Sequence, residues 1–211
     1  GVRDIRVDGT HILLNGKRLI LKGVNRHESH PDQGAATSEE LMLRDIQLLK
    51  SIGGNFIRGA HYPQAQRFLD LCDENGILVW EESLGWGNLA TQMDREVRDP
   101  IFRKLQVEQT RLMVRNSFNH PSVIFFGFLN ECQSSEDDVK SLVEELAAVI
   151  RAEDSGRLVT FAVNRLPNGV VGQEEDISAG CCDVISFNTY PGWYGHWHLP
   201  GALEAVVPKF R

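Results

Sequence analysis

Val123-Ile124-Phe125-Phe126-Gly127-Phe128-Leu129-Asn130-Glu131 runs seven residues without a polar side chain and then stops on an amide followed by a carboxylate. A strand open to water on one face alternates apolar with polar residues, so an unbroken apolar run reads as a strand covered on both faces of a parallel sheet. Catalytic groups of α/β barrels sit where such strands end, on the C-terminal face. Asn130 and Glu131 are therefore candidates for a positioning amide and a general acid. The competing reading is a carboxylate that caps the helix after the strand.

Outward from this stretch the chain alternates apolar strands with amphipathic helices. Leu19 to Val24 reads as the first buried strand, after a hairpin-like opening at Asn15-Gly16. Thr37-Ser38-Glu39-Glu40 resembles a capping box with Thr37 as the cap and Glu40 as its partner. Met42, Ile46 and Leu49 continue at helical spacing, and Gly53-Gly54 stops that helix. A strand at Phe56 to Arg58, a helix from Gln64 to Glu74 and a strand at Ile77 to Trp80 follow. Beyond a loop holding Gly85 and Gly87 comes a long helix from about Val97 to Asn116. After Glu131, Ser134 or Ser135 caps a helix whose apolar face is Val139, Leu142, Val143, Leu146, Val149 and Ile150. Leu158 to Val163 and Val184 to Phe187 are the last two strands, and Gly201 to Phe210 opens another helix.

The pattern is α/β, and the count is six βα units. A (β/α)8 TIM barrel takes about 250 residues, or about 31 per unit, which puts a seventh strand near roughly residue 214. Residues 1–211 are thus expected to form the N-terminal three-quarters of a barrel, C-terminally incomplete. A doubly wound open sheet would need a Gly-rich turn after a strand. Here the turns carry Asn25-Arg26-His27-Glu28, Arg58-Gly59-Ala60-His61-Tyr62, Glu81-Glu82, Asn130-Glu131, Asn164-Arg165 and Asn188-Thr189-Tyr190-Pro191-Gly192-Trp193. Polar side chains beside aromatic rings, all at strand ends, suit a sugar: hydroxyls need paired polar partners, and a pyranose face stacks on Trp or Tyr.

Composition narrows the rest. The chain has 211 residues, 42% hydrophobic and 24% charged, with a net charge of −7 and no basic stripe, which argues against a nucleic-acid partner. No apolar run reaches membrane-spanning length, so no membrane partner is expected. Signal-peptide and Asn-x-Ser/Thr patterns are lacking, which favours a cytoplasmic location. Cys72, Cys132, Cys181 and Cys182 lack metal-ligand spacing and read as reduced, packed thiols. His27-Glu28-Ser29-His30 has one residue between Glu and the second His where a zinc-protease helix needs two, so no metal or other cofactor is expected. Arg58 reads equally as a structural ion-pair partner or a substrate contact, with Glu81 or Glu82 as carboxylates that could serve it or Arg26. Sheet edges left open by a six-unit barrel invite association, so a homo-oligomer is expected.

Leu14-Asn15-Gly16-Lys17, Gly23-Val24-Asn25-Arg26-His27-Glu28, Ala60-His61-Tyr62-Pro63, Asn119-His120-Pro121-Ser122-Val123-Ile124 and Leu129-Asn130-Glu131 occur in this order, and the chain resembles the catalytic barrel of glycoside hydrolase family 2. That family includes β-galactosidases, β-glucuronidases and β-mannosidases, and the likeness covers Gly1 to about Tyr194. It implies hydrolysis of terminal β-glycosidic bonds by a retaining double displacement, with Glu131 as general acid/base. Asn130 is implied to bind the sugar 2-hydroxyl, His61 to contact substrate, and Asn188 and Tyr190 to follow strand six beside the nucleophile. His27 and Trp193 complete the expected substrate-binding set. Some relatives hold magnesium through a Glu and a His after strand three; Glu81-Glu82-Ser83-Leu84-Gly85-Trp86 lacks that His. The family also places β-sandwich domains beside its barrel, which this chain lacks.

A retaining glycosidase needs two carboxyl groups about 5–5.5 Å apart, one to protonate the leaving oxygen and one to attack the anomeric carbon. The resemblance puts the second at the end of strand seven, beyond Arg211. Glu204 is the acidic residue nearest that end, but its Gly-Ala-Leu-Glu-Ala-Val setting reads as a helix face. The isolated chain is therefore expected to be inactive. The alternative function is a non-catalytic truncated barrel that binds sugar or serves in assembly.

Overall fold

The computed structural model describes residues 3–85, 97–163 and 177–188. The chain opens with an antiparallel three-stranded meander, β1 (Ile5–Asp8), β2 (His11–Leu14) and β3 (Lys17–Leu19), in sequential order. Leu14 faces Lys17 across the second turn, leaving a two-residue loop with φ 51° at Asn15 and 75° at Gly16. Both central residues are left-handed, which is why Asn-Gly suits this turn.

Six strands then form one parallel sheet: β4 (Gly23–Arg26), β5 (Phe56–Gly59), β6 (Leu78–Glu82), β7 (Val123–Asn130), β8 (Leu158–Val163) and β9 (Val184–Phe187). Helices α1 (Glu39–Ser51), α2 (Gln66–Asn75), α3 (Pro100–Ser117) and α4 (Asp137–Glu153) connect the first five of them. Each strand pairs with its chain neighbour, and the order never reverses. A doubly wound sheet must reverse at a switch point; this order is that of six consecutive units of a TIM barrel. Among the described residues no helix is long and apolar enough to cross a membrane.

Two apolar layers result from the strand alternation. Outward-facing Val79, Phe126, Phe128 and Phe161 pack on Ile46, Phe68, Leu69, Met113, Leu142 and Leu146 of the helices. Inward-facing Trp80, Phe125, Leu158 and Ala162 form the second layer, against which Ile5, Ile12, Leu14 and Leu19 of the meander pack. The meander meets Phe56, Leu78 and Val184, residues at the starts of their strands, and so plugs the N-terminal end of the barrel. The C-terminal end carries the polar residues. Gly127 permits this interior: a Cβ there would stand 2.1 Å from the Trp80 indole nitrogen.

Several expected details are corrected. The run Leu19 to Val24 is not one buried strand but the end of β3 and the start of β4, and Ile20 and Val24 are exposed. Among the described residues β4 pairs only with β5, so half of it lacks cover. Thr37 does not cap α1; its hydroxyl donates to Glu28 Oε1 at 3.4 Å, and Ser38 occupies the cap without a side-chain bond. Gln64 lies outside α2 because its side chain accepts from Arg26 at 2.7 Å. Glu136, rather than Ser134 or Ser135, precedes α4, while Asp99 caps α3 by accepting from the Ile101 amide at 2.8 Å. The helix expected at Gly201 to Phe210 lies outside the described residues. Cys72 is a buried thiol outside any disulfide, and burial pushes it up to about 12.

Candidate active site

The site begins with a break in the strand that looked most regular. Gly127 of β7 pairs with Thr160 and Asn130 with Ala162, so Phe128 and Leu129 together face one residue of β8. Leu129 takes φ 53°, the left-handed region that an L side chain adopts only at a cost. One inserted residue changes the phase of everything after it. Phe128 and Leu129 both join the outer core, and Asn130 turns to the barrel interior. Glu131 is also left-handed, at φ 50°, and its amide still donates to the Ala162 carbonyl at 2.9 Å. Two consecutive side chains, which would diverge on a regular strand, thereby reach the same partner. The Asn188 amide nitrogen donates to Asn130 Oδ1 at 3.0 Å and to Glu131 Oε1 at 2.7 Å.

Behind this pair lies a buried charge network. Arg58, on β5, donates through Nε to Glu82 Oε2 at 2.9 Å, and its terminal nitrogen forms an ion pair with the same oxygen at 2.8 Å. Its other contacts are Asn130 Oδ1 at 2.8 Å and Asn188 Oδ1 at 3.2 Å. The guanidinium stacks 4.3 Å above the Trp80 ring. Glu82, at the end of β6, is fully buried and also holds the His61 Nδ1 at 2.7 Å. A buried carboxylate with both oxygens engaged by cationic or N–H donors is a satisfied group. It is closed to substrate.

His61 and His27 meet edge to face, with ring centroids 5.5 Å apart. Desolvation, then the neighbouring His61 and Arg58, holds the His27 pKa below its ordinary value, so this imidazole is neutral near pH 7. Four of the expected site residues, Asn130, Glu131, His61 and Asn188, thus share one hydrogen-bonded cluster, and His27 borders it. Tyr190 and Trp193 lie outside the described residues, as does Glu204.

The two carboxylates after Val79 have separate settings. Glu82 serves Arg58, which resolves the ion-pair alternatives. Glu81 points the other way, toward the helices, beside a cavity of about 250 Å³ lined by Gln66, Gln109, Met113, Asn116 and Ser117. It is fully buried, and burial pushes its carboxyl up to about 8. Glu28, in the His-Glu-Ser-His phrase, accepts from the Ala65 amide at 2.8 Å and pairs with Arg26 at 3.7 Å, so it holds chain rather than ion. Asp70, Asp73 and His120 converge elsewhere, at the N-terminal end of β7, close enough to share a metal ion. There His120 Nδ1 meets Asp73 at 2.7 Å, and the other Asp73 oxygen accepts from the Ser122 amide at 2.7 Å.

The sequence left Arg58 open between ion pair and substrate contact, and left open which of Glu81 and Glu82 serves it; the structure joins Arg58 to Glu82. The signal was present in the phase: Arg58 stands two residues after Phe56 and Glu82 two after Trp80, each in step with an inward-facing ring. The bulge at Leu129 has no such signal, because the apolar run does not reveal which residue is inserted.

Known proteins share this architecture. A chain of the Eisenbergiella tayi GH2 β-galacturonidase bound to galacturonate superposes with a TM-score of 0.87 at 38% identity, covering 99% of this chain and 36% of that one. The β-glucuronidase of Canis lupus familiaris is 34% identical over 206 residues, 98% of this chain and 30% of the relative. The β-galactosidase of Lactococcus lactis subsp. lactis is 39% identical over 131 residues, 62% of this chain and 13% of the relative. The chain therefore spans about 30% of the length of the curated relatives that it matches most fully. Residues 5–209 match the model of the TIM barrel domain of glycosyl hydrolases family 2, and the chain belongs to that family.

Proposed function

We propose that residues 1–211 supply the acid/base half of a retaining β-glycosidase that removes terminal β-linked sugars. Glu131 protonates the leaving oxygen and then, as carboxylate, activates the water that hydrolyses the glycosyl-enzyme. Asn130 donates to the sugar 2-hydroxyl, and His61, His27, Asn188, Tyr190 and Trp193 complete the substrate surface. The nucleophile comes from beyond Arg211, on a seventh strand, and no metal or cofactor takes part. The observation that carries this reading is the Asn188 amide bridging Asn130 and Glu131, which gathers an amide and a carboxylate at the open end of the barrel. Glu82 cannot take the nucleophile's role, since it is fully buried and held by Arg58 and His61.

Relatives that match nearly the whole chain are a β-glucuronidase and a β-galacturonidase, so aryl β-uronides are the first substrates to try, before aryl β-galactosides. The test compares full-length enzyme with a Glu131→Gln variant on aryl glycosides of graded leaving-group acidity. Turnover should collapse for poor leaving groups and persist for the most acidic phenols, which need no protonation. Equal turnover of the poor leaving groups by both proteins would sink the assignment.

A further inference from the structure

We propose that Glu82 is the positioning residue of this site: one buried carboxylate fixes which atoms of His61, Asn130 and Asn188 are presented to the sugar. The inference rests on the glycosidase reading above and adds a role to a residue that touches no substrate.

The argument follows donors and acceptors. His61 Nδ1 lies 2.7 Å from Glu82 Oε1 and 3.4 Å from an Arg58 nitrogen. Arginine can only donate and a carboxylate only accept, so the shorter contact puts the proton on Nδ1. The ring is thereby oriented with its Nδ1 edge on Glu82. Glu82 Oε2 accepts from Arg58 Nε at 2.9 Å and pairs with its terminal nitrogen at 2.8 Å, which sets the plane of the guanidinium. Arg58 in turn donates to Asn130 Oδ1 at 2.8 Å and to Asn188 Oδ1 at 3.2 Å. Each amide oxygen is thereby committed to Arg58, and neither amide can flip without setting NH2 against a guanidinium. Asn130 must offer its NH2 as a donor, and Asn188 must aim its NH2 at Glu131, where it sits at 2.7 Å. Three polarities follow from one anion.

A merely structural ion pair makes a different prediction. Bracing the barrel would affect stability, and its loss would add independently to the loss of any substrate contact. Positioning acts through Asn130, so the effect must shrink once Asn130 has gone.

The experiment is a double-mutant cycle in the full-length enzyme, read as kcat/KM on an aryl β-glycoside that it turns over. Glu82→Gln cannot accept from both Arg58 and His61 and should cost on the order of 100-fold, as a displacement of about 1 Å does. In an Asn130→Ala background the same change should cost at least tenfold less. Arg58→Lys, which keeps the buried charge pair but removes the fork, should show the same shrinkage, and it carries the cycle if Glu82→Gln does not fold. Losses that are equal in both backgrounds, or variants within about threefold of wild type, would overturn the proposal. Failure of the glycosidase reading itself would register separately, as Glu131→Gln turnover that does not depend on the leaving group.

Discussion

The Asn188 amide nitrogen sits 2.7 Å from Glu131 Oε1 and 3.0 Å from Asn130 Oδ1, joining the last residue of the β7 strand, the one after it and the residue that follows β9. Two strands separated by β8 are thus tied at the open end of the barrel by a single side chain. Asn188→Ala removes the tie without adding charge or bulk. The expected result is a loss of kcat/KM of about 10–100-fold, chiefly in kcat, because the orientation of the acid matters most in the transition state. Steady-state kinetics of the full-length enzyme on an aryl β-uronide or galactoside checks it.

Gly127 faces the Trp80 indole, and a Cβ there would stand 2.1 Å from Nε1 and 2.9 Å from the Thr160 carbonyl. One of these atoms belongs to backbone, so the clash cannot be relieved by a rotamer change alone. Gly127→Ala should destabilise the fold by about 1–3 kcal/mol, the usual cost of overpacking a filled core. The movement of Trp80 should also disturb Arg58, which stacks 4.3 Å above it, so activity should fall together with stability. Urea unfolding midpoints measure the first effect and kcat/KM the second.

Leu129 and Phe128 both point to the outer core because of the bulge, and both are fully buried. Deleting Leu129 leaves Asn130 opposite Ala162 and facing inward, but it removes the left-handed residue that sets how Glu131 leaves the strand, together with one buried side chain of the outer core. The prediction is loss of activity in a chain that keeps its helical circular dichroism, since α3 and α4 do not depend on that register. Far-ultraviolet dichroism alongside an activity assay distinguishes this from simple unfolding.

The legible parts of the sequence were those where one residue type answers one physical need. Asn15-Gly16 had to be a left-handed pair, and the apolar strands with their intervening helical faces could only be a covered parallel sheet. Asn130, Glu131, His61 and Asn188 stand out in the sequence because each lies at or just after the end of an apolar strand. What escaped was relational. Thr37 had two possible partners, and Glu28 won it from the helix end. Glu82 and Glu81 are neighbours with the same chemistry, and strand parity alone decides that one meets an arginine and the other the layer of helices. The inserted residue in β7 is invisible because Phe128, Leu129 and their neighbours are equally apolar.

Glu81 is the group whose ionisation should show in stability. It is fully buried, and burial raises its pKa from 4.5 to about 8 against a weaker downward pull from the Ser117 hydroxyl and Arg157. The folded state therefore holds a proton that the unfolded chain has already lost between about pH 4.5 and 8. The sign follows: the stability linked to this proton is complete below about 4.5, declines as pH rises through the window and has gone above about 8. Each tenfold difference in proton affinity is worth about 1.4 kcal/mol, so the decline is large enough to dominate the alkaline limb. Glu81→Gln removes the titration while keeping the shape. Its urea midpoint should vary less between pH 5 and pH 9 than that of the wild type, with the variant the more stable protein at pH 9. Parallel decline of both proteins across that range would show that Glu81 is ionised in the folded state and that its cavity supplies solvent or counter-charge.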